Sequence, residues 1–144
     1  MRTSLKKNER GVALLETAVT LPLVLLVCVG IFEFGRAYQT WQVLTNAARE
    51  GARVAILTET TDAQVTEAVR SYMSSGQLPA AATASVAINR NVAMAGANTG
   101  SQITITYPFS FIVLNPVARL VAPSATTGAS PLNMQAVALM RNES

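Results

Sequence analysis

The residue types that usually carry chemistry are scarce in this chain. It has no histidine and one cysteine, Cys28. A Ser-His-Asp triad, an imidazole general base and a histidine metal ligand are therefore excluded, and Cys28 has no second thiol for an internal disulfide. The acidic residues beyond the leader and the apolar run are Glu33, Glu50, Glu59, Asp62, Glu67 and Glu143. Most fall at helix ends or in charge pairs, with no paired catalytic spacing, no phosphate-cradling glycine loop and no metal cluster. A serine nucleophile would lack its base. The sequence reads as non-enzymatic, with no cofactor and no metal. One spacing keeps chemical meaning. A basic leader ends at Gly11, an apolar run begins at Val12, and Glu16 is the fifth residue after the glycine. Two readings fit this spacing: a plain transmembrane anchor, or a class III signal in which a leader peptidase cuts the Gly11–Val12 bond on the cytoplasmic side. A carboxylate near the membrane edge prefers a cationic partner, which a new Val12 ammonium, its own or a neighbour's, would supply. The plain alternative is a glutamate that snorkels to the headgroups.

Composition supports a membrane setting. Of 144 residues, 50% are hydrophobic and 13% charged, and the mean hydropathy is +0.32. The net charge of +3 resides in the leader: residues 1–11 hold four of the 11 basic side chains and one of the eight acidic ones, leaving seven of each in the remainder. A nucleic-acid binder carries its positive charge on the folded body, so that partner is excluded. Residues 12–32 contain thirteen Val, Leu, Ile or Phe. At ~0.3–0.6 kcal/mol each, insertion gains roughly 4–8 kcal/mol, against at most ~3 kcal/mol for Glu16. The run is long enough to span a bilayer, and the basic flank predicts a cytoplasmic N-terminus and an exported C-terminal portion. An ordinary secretory signal fits poorly, because the apolar run is too long and VCVGIFEFG offers no small-x-small cleavage site. Val27 before Cys28 likewise disfavours a lipoprotein signal, so Cys28 reads as an apolar filler.

These residues resemble the type IV pilin and pseudopilin signature and, more narrowly, the TadE-like family of tight-adherence (Tad, or Flp) pilus systems. The resemblance rests on RGVALLE (residues 10–16), Pro22 in the apolar run, FEFGRAY (32–38), AAREGAR (47–53) and the closing ALMRNE (138–143). It covers about the first 57 residues. The chain departs from the family in having Thr17 where many members have Phe. The resemblance implies a minor pilin or pseudopilin in the inner membrane, cut after Gly11 by a prepilin peptidase and registered by Glu16. Its implied partners are the major pilin, other minor pilins, the inner-membrane assembly platform and the lipid bilayer. Two further readings stay open: an uncleaved membrane-anchored scaffold, and a tip adhesin.

The elements that would position these residues follow from periodicity. Nothing between Phe32 and Leu57 stops a helix, so one helix is expected over residues 12–57, roughly 70 Å long, half in the membrane and half a stalk. Trp41, Leu44, Ala48, Ala52 and Ile56 form its apolar stripe. Glu33 with Arg36, and Glu50 with Arg53, are spaced to pair across a turn. Ala47, Ala48, Gly51 and Ala52 make a small-residue face that serves either packing within the chain or helix pairing. Residues 58–144 are expected to form a small exported domain. It comprises a helix over 63–74 capped by Thr61 or Asp62, and strands over 85–90, 102–107 and 133–142. Residues 91–101 and 124–130 read as loops. The fold class is α+β, pilin-like, with a three-stranded antiparallel sheet. The apolar connection 108–123 is the ambiguous part. Phe109, Phe111, Ile112 and Leu114 either complete the core or form an exposed patch for a partner subunit, a surface target or the outer membrane leaflet.

Overall fold

The structure, a computed structural model, describes residues 5–57, 59–95, 98–113 and 132–142, with residues 5–10 described by their backbone alone. Helix α1 runs from Leu5 to Ala55 and helix α2 from Asp62 to Ser75; strands β1 (Ser85–Ala93), β2 (Thr99–Phe109) and β3 (Leu132–Arg141) follow. The strands form one antiparallel sheet in the order β1-β2-β3. Both helices lie on one face of it: α1 packs on β2 and β3, α2 packs beside α1, and α2 touches β1. The α+β class, the long apolar helix and the three-stranded sheet agree with the sequence reading.

Helix α1 is longer than the expected 12–57 at its start and shorter at its end. It extends back to Leu5 because Lys6, Lys7, Asn8, Glu9 and Arg10 include no helix-breaking proline, and Gly11 alone costs only about 1 kcal/mol. Pro22 lies inside it without ending it. Its buried stripe also differs. Leu44, Ala48 and Ala52 are fully buried as expected, but Trp41 is 48% exposed and Ile56 half-buried. The stripe instead runs Glu33, Thr40, Leu44, Ala47, Ala48, Gly51, Ala52, Ala55, a polar start that no hydrophobic count would include.

α2 begins with a reciprocal cap. The Thr61 hydroxyl accepts from the Gln64 amide at 3.4 Å, and the Gln64 side chain accepts from the Thr61 amide at 2.9 Å, which satisfies two of the otherwise orphaned donors. Its buried residues Val65, Val69 and Met73 follow a 4-residue spacing along one face. Across from them the sheet presents Ile103, Ile105, Tyr107 and Phe109 of β2 with Ala136 of β3. The opposite face of the sheet carries Gln102, Thr104 and Thr106, alternating as a half-solvated strand must.

The expected loop over residues 91–101 is a correction. β1 continues to Ala93 and β2 starts at Thr99, paired as Val92 to Gly100 and Ala93 to Thr99, with a bulge between Asn89 and Val92. The Met94 amide donates to Asn98 O at 2.8 Å and closes the hairpin; residues 96–97 lie outside the described residues. Small and polar residues are weak strand formers alone, but register with the neighbouring strand imposes pairing on them. At Gly100 a Cβ would lie 2.8 Å from Met140 O, which is why a glycine occupies the strand there. The expected loop over 124–130 falls outside the described residues.

A polar lock holds the end of the fold far from the leader. Arg90 on β1 donates to Ala55 O at the end of α1, to Thr60 O, and to Asp62 Oδ1 at the start of α2, at 2.9, 2.9 and 2.8 Å. One guanidinium thus joins a helix C-terminus, a loop and a helix N-terminus, which its rigid fork of donors permits. Asn142 completes the lock: it donates to Arg90 O at 3.0 Å and accepts from the buried Ser101 hydroxyl at 2.8 Å.

Helix and sheet meet closely at Gly51, where a Cβ would fall 2.5 Å from Val69 Cγ2 and 3.4 Å from Ile103 Cγ2. Gly51→Leu is therefore expected to lower unfolding stability by about 1–3 kcal/mol through overpacking, despite the gain of about 1 kcal/mol from leaving glycine in a helix. At Gly35 a Cβ meets nothing within 4 Å, and Gly35→Ala is expected to stabilise by up to about 1 kcal/mol. Urea unfolding in detergent, followed by circular dichroism, reads both signs.

Candidate functional site

The candidate features lie along α1, in three successive stretches. The first is the membrane-length run. Among the described residues, α1 is the one helix long and apolar enough to cross a membrane; its most apolar window has a mean hydropathy of 2.4 and is not buried inside the chain. Gly11, Val12 and Glu16 are all exposed, and nothing lies within 4 Å of a Cβ built at Gly11. The Gly11–Val12 bond sits in helical backbone. Thr17 and Thr20 donate their hydroxyls back to Ala13 O and Glu16 O at 2.8 and 2.7 Å, the back-bonding by which hydroxyls are satisfied within an apolar helix.

The second stretch is the junction with the sheet, and it holds a residue whose role the sequence reading missed. Glu33, the first residue after the apolar run, is spaced to pair with Arg36 across one helical turn. It does pair, at 2.9 Å, but the glutamate is only 1% exposed. Its Oε1 accepts from the backbone amides of Ile112 and Val113 at 2.7 and 2.6 Å. Arg36 also donates to Ser110 O, and its guanidinium carbon lies 4.4 Å from the centre of the Phe109 ring, within cation–π range. Two α1 side chains thus grip the chain just beyond β2. Burial pushes the Glu33 carboxyl up, but the bonds from Val113, Arg36 and Ile112 together outweigh it and hold the group below the usual glutamate range. A signal was available: an acidic residue at the edge of an apolar run needs partners. Those partners are 79 and 80 positions away in sequence.

The third stretch is the small-residue face. Ala47, Ala48, Gly51 and Ala52 are buried against this chain's own sheet and α2. Glu50 and Arg53 pair on the outer side at 2.6 Å; the Arg53 hydrogen bond lowers the Glu50 carboxyl and raises the Arg53 guanidinium. Being exposed, this pair contributes little.

The run that reads as either core or exposed patch divides. Phe109 is core, 1% exposed, because it ends the inward-facing row of β2 and lies under Arg36; this agrees with the core alternative and corrects the patch alternative for this residue. Phe111 is half-buried, edge-on to Phe109 with ring centres 5.3 Å apart. Ile112 is 61% exposed. Leu114 lies outside the described residues. Among the described residues no group of three or more His, Cys, Asp or Glu is placed to hold a metal ion.

Removing the Glu33 carboxylate leaves two backbone donors and Arg36 without their shared acceptor. Glu33→Ala is expected to cost roughly 2–4 kcal/mol. Because the folded-state pKa is depressed, ionised Glu33 stabilises the fold above its unfolded value of about 4.3, and this contribution is lost as pH falls through the folded value. Urea midpoints measured from pH 6 downward should drop in the wild type below about pH 4.3, and Glu33→Gln should flatten that dependence.

Comparison with known proteins adds one match. The TadE-like protein family matches residues 11–53, a span that takes in the Gly11–Val12 bond, Glu16, Glu33 with Arg36, and the small-residue face, and ends before α2 and the sheet. No curated protein and no solved structure matches the chain. Over residues 11–53 the chain is thus similar to TadE-like proteins, on the helix that carries all three stretches.

Proposed function

We propose that this protein is a non-enzymatic minor pilin or pseudopilin that takes part in the assembly or architecture of a Tad-type pilus or a related secretion apparatus. The observation that carries the reading is the N-terminal half of α1: an apolar run without a buried residue that begins after Gly11, holds Glu16 at its fifth position, and lies within the TadE-like match. The run stores the subunit in the inner membrane with its N-terminus in the cytoplasm and its sheet domain exported. A prepilin peptidase removes residues 1–11, which clears four basic side chains from the helix end and creates the Val12 ammonium. Glu16 then registers the subunit against a neighbouring helix, since a carboxylate in that setting is stabilised by a cation. The exported domain supplies contacts to the major pilin, other minor pilins and the assembly platform. The unbroken α1 suits this role, because it ties the membrane run and the domain to one rigid rod.

A second reading is favoured by one observation. The chain is helical from Leu5 through Gly11, and a peptidase must unwind that backbone to cut it. A chain that resists cutting is a permanent anchor and acts as a scaffold of the same machine.

The N-terminal sequence of the chain purified from membranes that contain its own peptidase separates the two. We expect it to begin at Val12. A chain that begins at Met1 or Arg2 is the anchor, and the role given to Glu16 is then withdrawn.

A further inference from the structure

The exported domain does not simply hang from its helix; its Glu33 contact fixes the height at which one apolar side chain sits. Residues 12–32, at 1.5 Å per residue, extend about 31 Å, the thickness of a bilayer's hydrocarbon core. Glu33 is therefore the first residue at the outer boundary. Its carboxylate holds the amides of Ile112 and Val113 at 2.7 and 2.6 Å. The tip beyond β2 is thus pinned at the same level, and there Ile112 is 61% exposed. Around it on α1, at that same level, Ile31, Phe32 and Phe34 are 69%, 60% and 74% exposed.

We propose that the tip at Ile112 is a second membrane contact, with Ile112 seated in the outer leaflet beside the helix. The occupant of this surface is lipid, because the patch is continuous with the apolar run that the bilayer already covers. The same arrangement removes an electrostatic problem. A bare carboxylate at this boundary is costly, and the docked tip covers Glu33 while presenting Ile112 in its place. Arg36, a quarter exposed beside the tip, stands at headgroup height, where phosphates carry the opposite charge. The inference rests on the reading of residues 12–32 as a membrane span. It adds that the domain lies against the bilayer with one fixed side down.

The test uses the full chain with Cys28→Ala, reconstituted in phosphatidylcholine–phosphatidylglycerol vesicles. Single cysteines at Ile112→Cys, Val24→Cys and Asn89→Cys carry an environment-sensitive fluorophore; all three native side chains are exposed, so the fold tolerates the label. Lipids brominated near the headgroup then report contact at position 112, and lipids brominated near the end of the acyl chain report it at position 24. The expected result is strong quenching at 112 and at 24, with none at 89 on the outer sheet face. Quenching at 24 with position 112 behaving like 89 overturns the proposal and leaves the membrane span standing. Shielding of 112 from aqueous iodide without lipid quenching also overturns it, by showing a protein neighbour on the tip. Loss of quenching at 24 removes the span itself, and the proposal with it.

Discussion

A carboxylate buried at the edge of an apolar run is the constraint on which the rest of this structure depends. Glu33 has lost nearly all contact with water, and an ionised group in that position must be hydrogen-bonded or it destabilises the fold by several kcal/mol. Two backbone amides and Arg36 satisfy it. Because those amides belong to the chain beyond β2, meeting the need of one side chain on α1 also docks the sheet. Arg36 strengthens the joint by reaching Ser110 O and the face of Phe109.

Apolar packing alone would not fix the domain as firmly. The buried face of α1 above Leu44 is built from Ala47, Ala48, Gly51, Ala52 and Ala55. Small side chains allow close approach but bury little area each, and the hydrophobic effect has no direction. Direction comes from the two polar contacts at the ends. Glu33 with Arg36 holds one end, and Arg90 holds Ala55 O at the other. Twenty-two residues of helix separate Glu33 and Ala55, about 33 Å. Two anchors that far apart on one rod prevent the sheet from swinging or sliding, while the small residues between them set how close it lies.

This arrangement connects the fold to the proposed role. A pilus subunit has to transmit force and position from a membrane helix to an exported surface. A helix continuous from Leu5 to Ala55, clamped to its domain at two points, does so without a hinge. Phe34, Tyr38 and Trp41 on α1 are exposed, and the similarity to TadE-like proteins falls on the same helix.

The sequence by itself determined the elements. The run of apolar residues after Gly11, the position of Glu16, the period of α2 with its Thr61 cap, and the alternation in QITITY each depend on near neighbours in the chain, so local pattern was enough. It placed Glu33 and Arg36 on one helical turn for the same reason. Only the tertiary structure decided what that pair is for, since its other partners, Ser110, Ile112 and Val113, are more than seventy positions away. Arg90 was likewise legible only as the end of a strand, because its three acceptors come from two helices and a loop. The hairpin over residues 91–101 was hidden for a third reason. Its Ala, Gly and Asn have little strand preference of their own, and they pair because β2 and β3 hold them in register. Phe109 and Ile112 show the limit most plainly. Both are large apolar residues in one run, and which of them is core and which faces outward follows from the side of the sheet on which β2 ends.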